Sequence, residues 1–582
     1  MVMQKLSVEE NQSENLVQQN IEHLKRIFPE VFSEGKVNFE TLRQLLGDQD
    51  VLDEGKEKYG LNWHGKKKAR QSALTPSLGT LLPCPEESVD WDSTQNLFIE
   101  GDNLEVLKLL QKSYTNKVKL IYIDPPYNTG KDFVYHDNFH ENIEAYLKYT
   151  NQQDENNLLT TSNVDSVGRK HSTWLSMIYP RIKLARELLA KDGIILVSID
   201  ENECTNLKHV CDSVLGEENF IAQLVWEKGR KNDAKFFSVG HEYILVYAKN
   251  LSFLKDISTI WREPKEGAAE LWDKYLELKK QNNDNYEVMT IKLRDWFKEL
   301  PESHPSKKLA RYKHIDKYGP WRDADISWPG GGGPKYDVKH PKTGESCQVP
   351  DRGWRFSTLA SMQKKIDQGF VIFRDDHTSP PISKAHLRTL PENLDEIDLD
   401  INDESVEIGS QVMPSVIYKQ SQVAIKYFNK LMGERIFTNP KDHVVLARLI
   451  KYICQDDSII LDFFSGSCST AEAVLEVNVE KNTKHRYIMV QLPEKCPVDS
   501  VPFKAGYKTI AEIGKERIRR VGANLKKLNP SLDIGFKVFK LAQSNIQPWN
   551  PDPTDLETTL LDSENHLIEG RTEQDILYEL LL

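Results

Sequence analysis

A chain of 582 residues exceeds what one hydrophobic core serves, so two or three domains are expected. With 39% hydrophobic and 28% charged residues it reads as a soluble globular protein, and no apolar run approaches the length of a membrane span. The formal charge of −12 argues against nucleic-acid binding unless basic tracks are local, and seven cysteines without a C-x-x-C pair disfavour a disulfide framework or a zinc ribbon.

From Met1 the chain turns polar at once, through Glu9, Glu10, Asn11 and Gln12, without a signal-peptide pattern; the cytoplasm is the expected compartment. Leu16, Ile21, Leu24 and Ile27 recur near helical spacing, as do Phe39, Leu42, Leu45 and Leu46, so residues 1–95 are expected to form an N-terminal helical arm. Over 96–250 the spacing predicts helix 104–110, strand 118–123, helix 181–190, strand 194–199 and strands 220–226 and 243–247, with Pro180 as a helix start or kink. Between 251 and 410 the pattern changes. A charged helical stretch, 271–300, carries Trp272, Tyr275, Tyr286, Trp296 and Phe297. After it Tyr312, Trp321, Trp328, Tyr336, Trp354 and Phe356 alternate with Lys313, Lys317, Arg322, Lys335, Lys339, Arg352 and Arg355. Such interleaving suits phosphate pairing with base stacking, and equally a small β domain whose aromatics are core. Residues 411–525 return to α/β, with helix 443–452 and strand 487–491. The segment 526–582 ends in the apolar run Ile576, Leu577, Tyr578, Leu580, Leu581 and Leu582, which predicts a partner contact or a reading frame that stops early. Basic clusters at 66–70, 228–235, 307–317 and 515–527 are the candidate phosphate tracks, and 392–407 is acidic.

Two strand ends carry the chemistry. Val118-Lys119-Leu120-Ile121-Tyr122-Ile123 runs directly into Asp124-Pro125-Pro126-Tyr127. In open parallel sheets ligands collect at such carboxyl ends. Two prolines fix φ and leave rigid carbonyl acceptors, while Asp and Tyr add a carboxylate and an aromatic face. The set suits an exocyclic base amine; it also matches an ordinary turn. The second strand, Ile459-Ile460-Leu461-Asp462, passes through Phe463-Phe464-Ser465-Gly466-Ser467-Cys468 into a helix. Ser469 and Glu472 there have the spacing of a capping box. Neither G-x-G-x-x-G nor a P-loop is present, which disfavours nicotinamide, flavin and P-loop nucleotide sites.

Together the motifs resemble those of amino-methyltransferases that use S-adenosylmethionine. Asp124-Pro125-Pro126-Tyr127 looks like the catalytic motif. Phe464-Ser465-Gly466-Ser467-Cys468 looks like the F-x-G-x-G cofactor motif, with Cys468 in place of its last glycine. The catalytic element comes first, the permuted order of the beta class of DNA amino-methyltransferases. IEGDNLEVL (99–107), DPPYNTGKD (124–132), WLSMIYPRIKLARE (174–187), DGIILVSID (192–200) and SWPGGGGPKYD (327–337) occur in this order and resemble modification subunits of type III restriction–modification systems. The resemblance implies a Rossmann-like α/β methyltransferase fold in permuted order. Its catalytic half would be 96–250, an inserted target-recognition domain 251–410, the cofactor half 411–525 and a C-terminal segment 526–582. It implies methyl transfer to the 6-amino group of a flipped adenine in double-stranded DNA, with Asp124, Pro125, Pro126 and Tyr127 catalytic. Asp462, Phe464, Ser465 and Gly466, with Asp102 and Lys441, would contact S-adenosylmethionine. No metal is implied. The implied partners are a second copy of the chain and a separate ATP-dependent restriction subunit. Aspartate rather than serine at 124 favours adenine over cytosine. A solitary adenine or cytosine-N4 methyltransferase, and an inactive DNA-binding specificity subunit marked by Cys468, are the alternative readings.

Overall fold

A computed structural model describes residues 21, 24–33, 36–46, 61–129, 166–229, 235–302, 304–390, 409–545, 568 and 570–581. They divide into two compact units, Met1–Ile260 with Pro414–Leu582, and Trp261–Met413.

The first unit holds a ten-stranded sheet. Its strands are β1 (Gly79–Pro83), β2 (Leu97–Glu100), β3 (Val118–Ile123), β4 (Leu189–Ile199), β5 (Phe220–Glu227), β6 (His241–Ala248), β7 (Val416–Tyr418), β8 (Ile459–Asp462), β9 (Arg486–Gln491) and β10 (Lys537–Gln543). Their spatial order is β7-β5-β6-β4-β3-β8-β9-β2-β10-β1. From β4 to β10 every neighbouring pair is parallel. β6 joins β4 antiparallel, and β1 closes the other edge antiparallel to β10. Strands inside a parallel sheet read as continuous apolar runs, and β2 and β8 are buried throughout. β3 pairs with β8 at Leu120↔Ile460 and Ile121↔Leu461. Parallel pairing in that register puts Asp124 and the turn after Asp462 at one edge of the sheet.

The helices that matter to the site are α1 (Asn103–Tyr114), α2 (Ser166–Leu188), α3 (Cys204–Leu215), α4 (His443–Ile453), α5 (Ser469–Lys481) and α6 (Ile510–Lys526). Pro180 neither starts nor ends α2 but lies inside it. The helix bridges the missing N–H because Trp174, Ile178, Tyr179 and Ile182 on one side are fully buried. Expected helix at 189–190 is instead the beginning of β4. No helix among the described residues is long and apolar enough to cross a membrane.

Several basic residues expected to face phosphate are consumed inside the protein. Arg70, joined by Lys183 from outside those clusters, pairs with the buried Glu30 carboxylate, which also accepts from the Tyr179 hydroxyl. Burial opposes that charge, but Lys183 and Arg70 hold Glu30 below the usual carboxylate range. Lys515 is likewise buried between Glu87 and Glu100. The expected helical arm 1–95 is helical at Phe39–Leu45 and Lys66–Leu74, but Gly79–Pro83 is not arm: it pairs with β10 as an edge strand of the sheet, and Leu16 lies outside the described residues. The apolar C-terminal helix, Glu573–Leu581, is partly spent within its own unit. Tyr578 packs edge-on against Trp91 and Phe539 at 5.8 and 5.2 Å, and Glu579 accepts from the Asn545 N–H at 2.8 Å. Leu577 and Leu580 remain exposed.

The second unit is built on a four-stranded antiparallel sheet (His314–Asp316, Gly319–Ala324, Ile382–His386, Val371–Ile372) and two helices, Ala268–Asn282 and Tyr286–Glu299. Of the two readings of its aromatic–basic alternation, the core reading holds for most rings. Trp272, Tyr275, Phe297, Tyr312, Trp321 and Trp354 are buried. Lys313, Lys317, Lys335, Lys339, Arg352 and Arg355 are exposed. The period separates rings inward from cations outward, so this unit offers charge rather than stacking surfaces.

Candidate active site

Beyond β3 the chain leaves the sheet as Asp124-Pro125-Pro126-Tyr127. The Trp174 indole N–H, from α2, donates to the Pro126 carbonyl at 2.6 Å and fixes the loop. Asn128 follows in the left-handed region at φ 57°. Its amide donates to the wholly buried Glu203, which is also bonded to His171. The motif is thus clamped on both sides, by Trp174 and by Glu203.

The Asp124 side chain belongs to a compact network of charges. Its Oδ1 accepts from the Tyr127 hydroxyl at 2.8 Å and pairs with Lys441 Nζ at 3.0 Å. Lys441 also donates to Tyr127 Oη at 2.6 Å and pairs with Glu242 Oε1 at 2.8 Å. Lys228 closes the network on Glu242 Oε2. Burial opposes the Lys441 charge, yet Asp124 and Glu242 hold that ammonium above its ordinary range. Burial and the Lys441 charge push Lys228 down to about 8. Glu242 is held below the usual carboxylate range, because Lys441 and Lys228 outweigh its burial. Burial, with Asp124 and Glu242 alongside, pushes the Tyr127 phenol well above its usual range, so it remains a donor. Among the described residues nothing bonds Asp124 Oδ2 or the Pro125 carbonyl. These two acceptors remain for a ligand.

The turn after β8 is held from beneath. Asp462 is buried, its Oδ1 accepting the Phe464 N–H at 3.0 Å and its Oδ2 the Thr470 hydroxyl at 2.6 Å. Ser465 Oγ donates to the Val490 carbonyl at 3.1 Å, and the Gly466 N–H donates to Gln491 Oε1 at 2.6 Å. The expected capping box does not form. Cys468, at φ 59°, is the N-cap of α5, and its side chain makes no capping bond to the helix. Ser469 Oγ donates instead to the Lys441 carbonyl at 2.9 Å, and Glu472 is taken by Arg517 and the Tyr427 hydroxyl. Long-range partners outcompete the local cap.

Cys468 therefore occupies a left-handed conformation, which costs a residue with a Cβ roughly 1–2 kcal/mol. Its sulfur is accommodated by Gly514 of α6, where an added Cβ would lie 2.7 Å from Cys468 Sγ. Gly514→Ala should therefore destabilise the protein by about 1–3 kcal/mol. In a Cys468→Gly background the same change should cost much less. Denaturant unfolding of the four proteins measures the coupling; additive effects would refute the contact.

Asp462 supplies a pH signature. Burial pushes its carboxyl up to about 7 from 3.8, so between those values the folded state holds a proton that the unfolded chain has released. Stability from this group then falls as pH rises across that window and levels off above it. Asp462→Asn, whose amide can serve both partners, should flatten the decline. Urea midpoints of both proteins at pH 5 and pH 8 test this, and parallel profiles would refute it.

Asp124, Pro125, Pro126, Tyr127, Lys441, Phe464 and Gly466 line one cavity of about 610 Å³, together with Lys228, Glu242, Phe437, Asn439, Gln491, Glu494 and Ile510. Three expected cofactor residues lie off its wall. Asp462 and Ser465 brace the turn, and Asp102 caps α1 through Leu104 and Glu105 while pairing with Arg181 at 3.3 Å. Lys441 reaches the Asp124 loop rather than the Phe464 turn. Glu242, Gln491 and Glu494 were not singled out from sequence, and Lys228 only as the start of the basic cluster 228–235; the strand-end position of Gln491 was the one hint. The cavity carries carboxylate and carbonyl acceptors at one wall, and aromatic and aliphatic surface with Gln491 and Glu494 at another. This donor and acceptor set fits an adenosyl-type ligand beside an amine.

The sequence model of the DNA methylase family (N6_N4_Mtase) matches residues 118–496, a span that includes both motifs. The chain is 35% identical over 531 residues to the type III restriction-modification enzyme EcoP15I Mod subunit of Escherichia coli, covering 89% of this chain and 76% of that protein. It is 31% identical over 555 residues to the EcoPI Mod subunit of Escherichia phage P1, covering 89% and 76%. With the StyLTI Mod subunit of Salmonella typhimurium it shares 30% identity over 556 residues, covering 90% and 74%.

Proposed function

The chain belongs to the DNA methylase family, as a type III modification subunit that uses S-adenosylmethionine, and on that premise we propose that it methylates the 6-amino group of adenine in duplex DNA. The observation that carries this reading is the pairing of β3 with β8, which brings a loop with two unused acceptors and the Phe464–Cys468 turn to one cavity. An adenine amine offers two N–H groups. Asp124 Oδ2 and the Pro125 carbonyl would accept one each, turning the nitrogen lone pair out of the ring plane. Tyr127 presents its ring to the base, which must leave the helix to enter. Lys441 and Glu242 hold Asp124 and Tyr127 in place, and the raised Lys441 pKa keeps this scaffold charged through neutral pH. Phe464, Gly466, Gln491 and Glu494 would hold S-adenosylmethionine, which when bound supplies an electrophilic methyl group.

The unit Trp261–Met413 is the proposed target-recognition domain, its outward cations meeting phosphate. The second copy and the ATP-dependent restriction subunit are proposed partners. Incubation with duplex DNA and methyl-labelled S-adenosylmethionine, followed by nucleoside analysis, tests the reaction. N6-methyladenine is the expected product, and 4-methylcytosine would overturn the base assignment. Mass measurement in solution, with and without a restriction subunit, tests the assembly; a fully active monomer would refute the dimer.

A further inference from the structure

Phe236 and Phe237 are 94% and 91% exposed, consecutive in sequence, in a unit whose large aromatic rings are otherwise mostly packed. Single exposed apolar residues need no explanation; an adjacent pair of bare phenyl rings does.

Their place in the fold narrows the possibilities. They lie in the connection between β5 and β6, whose base is closed by hydrogen bonds from the Lys228 and Gly229 N–H groups to the Gly240 carbonyl, at 2.7 and 3.2 Å. Lys228 and Glu242, on either side of that base, are both wall residues of the active cavity. Phe237 is three residues from Gly240, so even fully extended chain keeps it within about 10 Å of that base. Chain connectivity therefore keeps the rings within reach of the mouth of the cavity proposed to receive the base. Lys235 precedes them with a charge suited to phosphate.

We propose that Phe236 and Phe237 form a wedge that enters the base stack of duplex DNA beside the target adenine and fills the gap which that base leaves. The proposal rests on the reading of the Asp124 loop as a pocket for a flipped adenine. A base that leaves the helix breaks stacking with both neighbours and leaves an apolar slot open to water. A phenyl ring entering that slot restores stacking contact and removes its own surface from water in the same step. Packing inside the protein would do the second alone, and an exposed ring does neither. The wedge acts on the DNA and touches no reacting atom, so these are positioning residues.

The test compares two duplexes in one protein preparation. One carries a fully paired target adenine; the other has an abasic site opposite it, so that no pair must be broken. For Phe236→Ala/Phe237→Ala, kcat/KM on the paired duplex should fall at least tenfold and on the abasic duplex by less than threefold. With 2-aminopurine at the target position, the fluorescence gain on binding should shrink in parallel. Phe236→Trp/Phe237→Trp should restore both readouts. Among the described residues both rings are almost wholly exposed, so the melting midpoint should not move. Equal losses on the two duplexes would overturn the wedge, as would unchanged activity on both, which would leave the rings to a protein partner. If the wild-type protein methylates adenine in neither duplex, the pocket reading fails, and the wedge with it.

Discussion

Replacing Asp124 by alanine is expected to lower the methylation rate about 10²–10³-fold while duplex binding stays near wild type. The carboxylate would accept one of the two amine hydrogens, and no described residue stands ready to replace it. Alanine also removes one of the two anions beside Lys441, but Glu242 remains at 2.8 Å, so the ammonium stays paired and the scaffold keeps its charge balance. The Asp124 side chain is only partly buried, which limits the cost in stability. Under the proposed reading, duplex contacts would come from elsewhere, from exposed cations of the second unit and from the cavity rim. Single-turnover methylation and filter binding on the same variant separate the two effects. Turnover within threefold of wild type would remove Asp124 from the reaction.

Arg517→Met should destabilise the proposed cofactor half by about 3–5 kcal/mol. The guanidinium is fully buried and pairs with Glu472, itself wholly buried. It also donates to the Ser467 hydroxyl at 3.0 Å, the Ser467 carbonyl at 3.2 Å and the Ser469 hydroxyl at 2.6 Å. One side chain thus neutralises a buried anion and ties down the turn that forms the cavity wall. Methionine fills much of the space and satisfies none of these groups. S-adenosylmethionine affinity should fall along with the unfolding midpoint. Adding Glu472→Gln should recover part of the loss, since the uncompensated charge disappears with it. A loss below about 1 kcal/mol, or no recovery in the double variant, would contradict this account.

The two strand ends that meet at the cavity were legible in the sequence for a local reason. Buried parallel strands are unbroken apolar runs, and β3 and β8 each end in an acid followed by turn residues. Residues that arrive through pairing distant in sequence were not legible. Glu242 falls just ahead of the expected strand 243–247 and carries no signal until β6 lies beside β4, and Gln491 reads as an ordinary strand residue until β9 lies beside β8. The capping box shows the reverse failure: the local spacing at Ser469 and Glu472 was right, but a lysine carbonyl and a buried arginine claimed both side chains. Cys468 could have been read either way, because whether a glycine position demands φ > 0 depends on the turn it closes. In the second unit, alternation of rings and cations could not reveal which set faces inward. Most rings do, because the small sheet has little other apolar material to bury.

Leu120 and Ile460, neighbours in the sheet, are 340 residues apart along the chain (460 − 120). At the usual pace of translation, β3 must wait on the order of 20–70 s on the ribosome for β8 to emerge. During that time one edge of an apolar strand destined for the interior has no partner, an exposure that invites chaperone capture or aggregation. The intervening unit can close meanwhile, because Glu263–Pro264 pairs with Ser410–Gln411 and brings its two ends together. Its early folding would shorten the effective tether between the halves, so synthesis rate across that insertion should govern how much active protein a cell recovers.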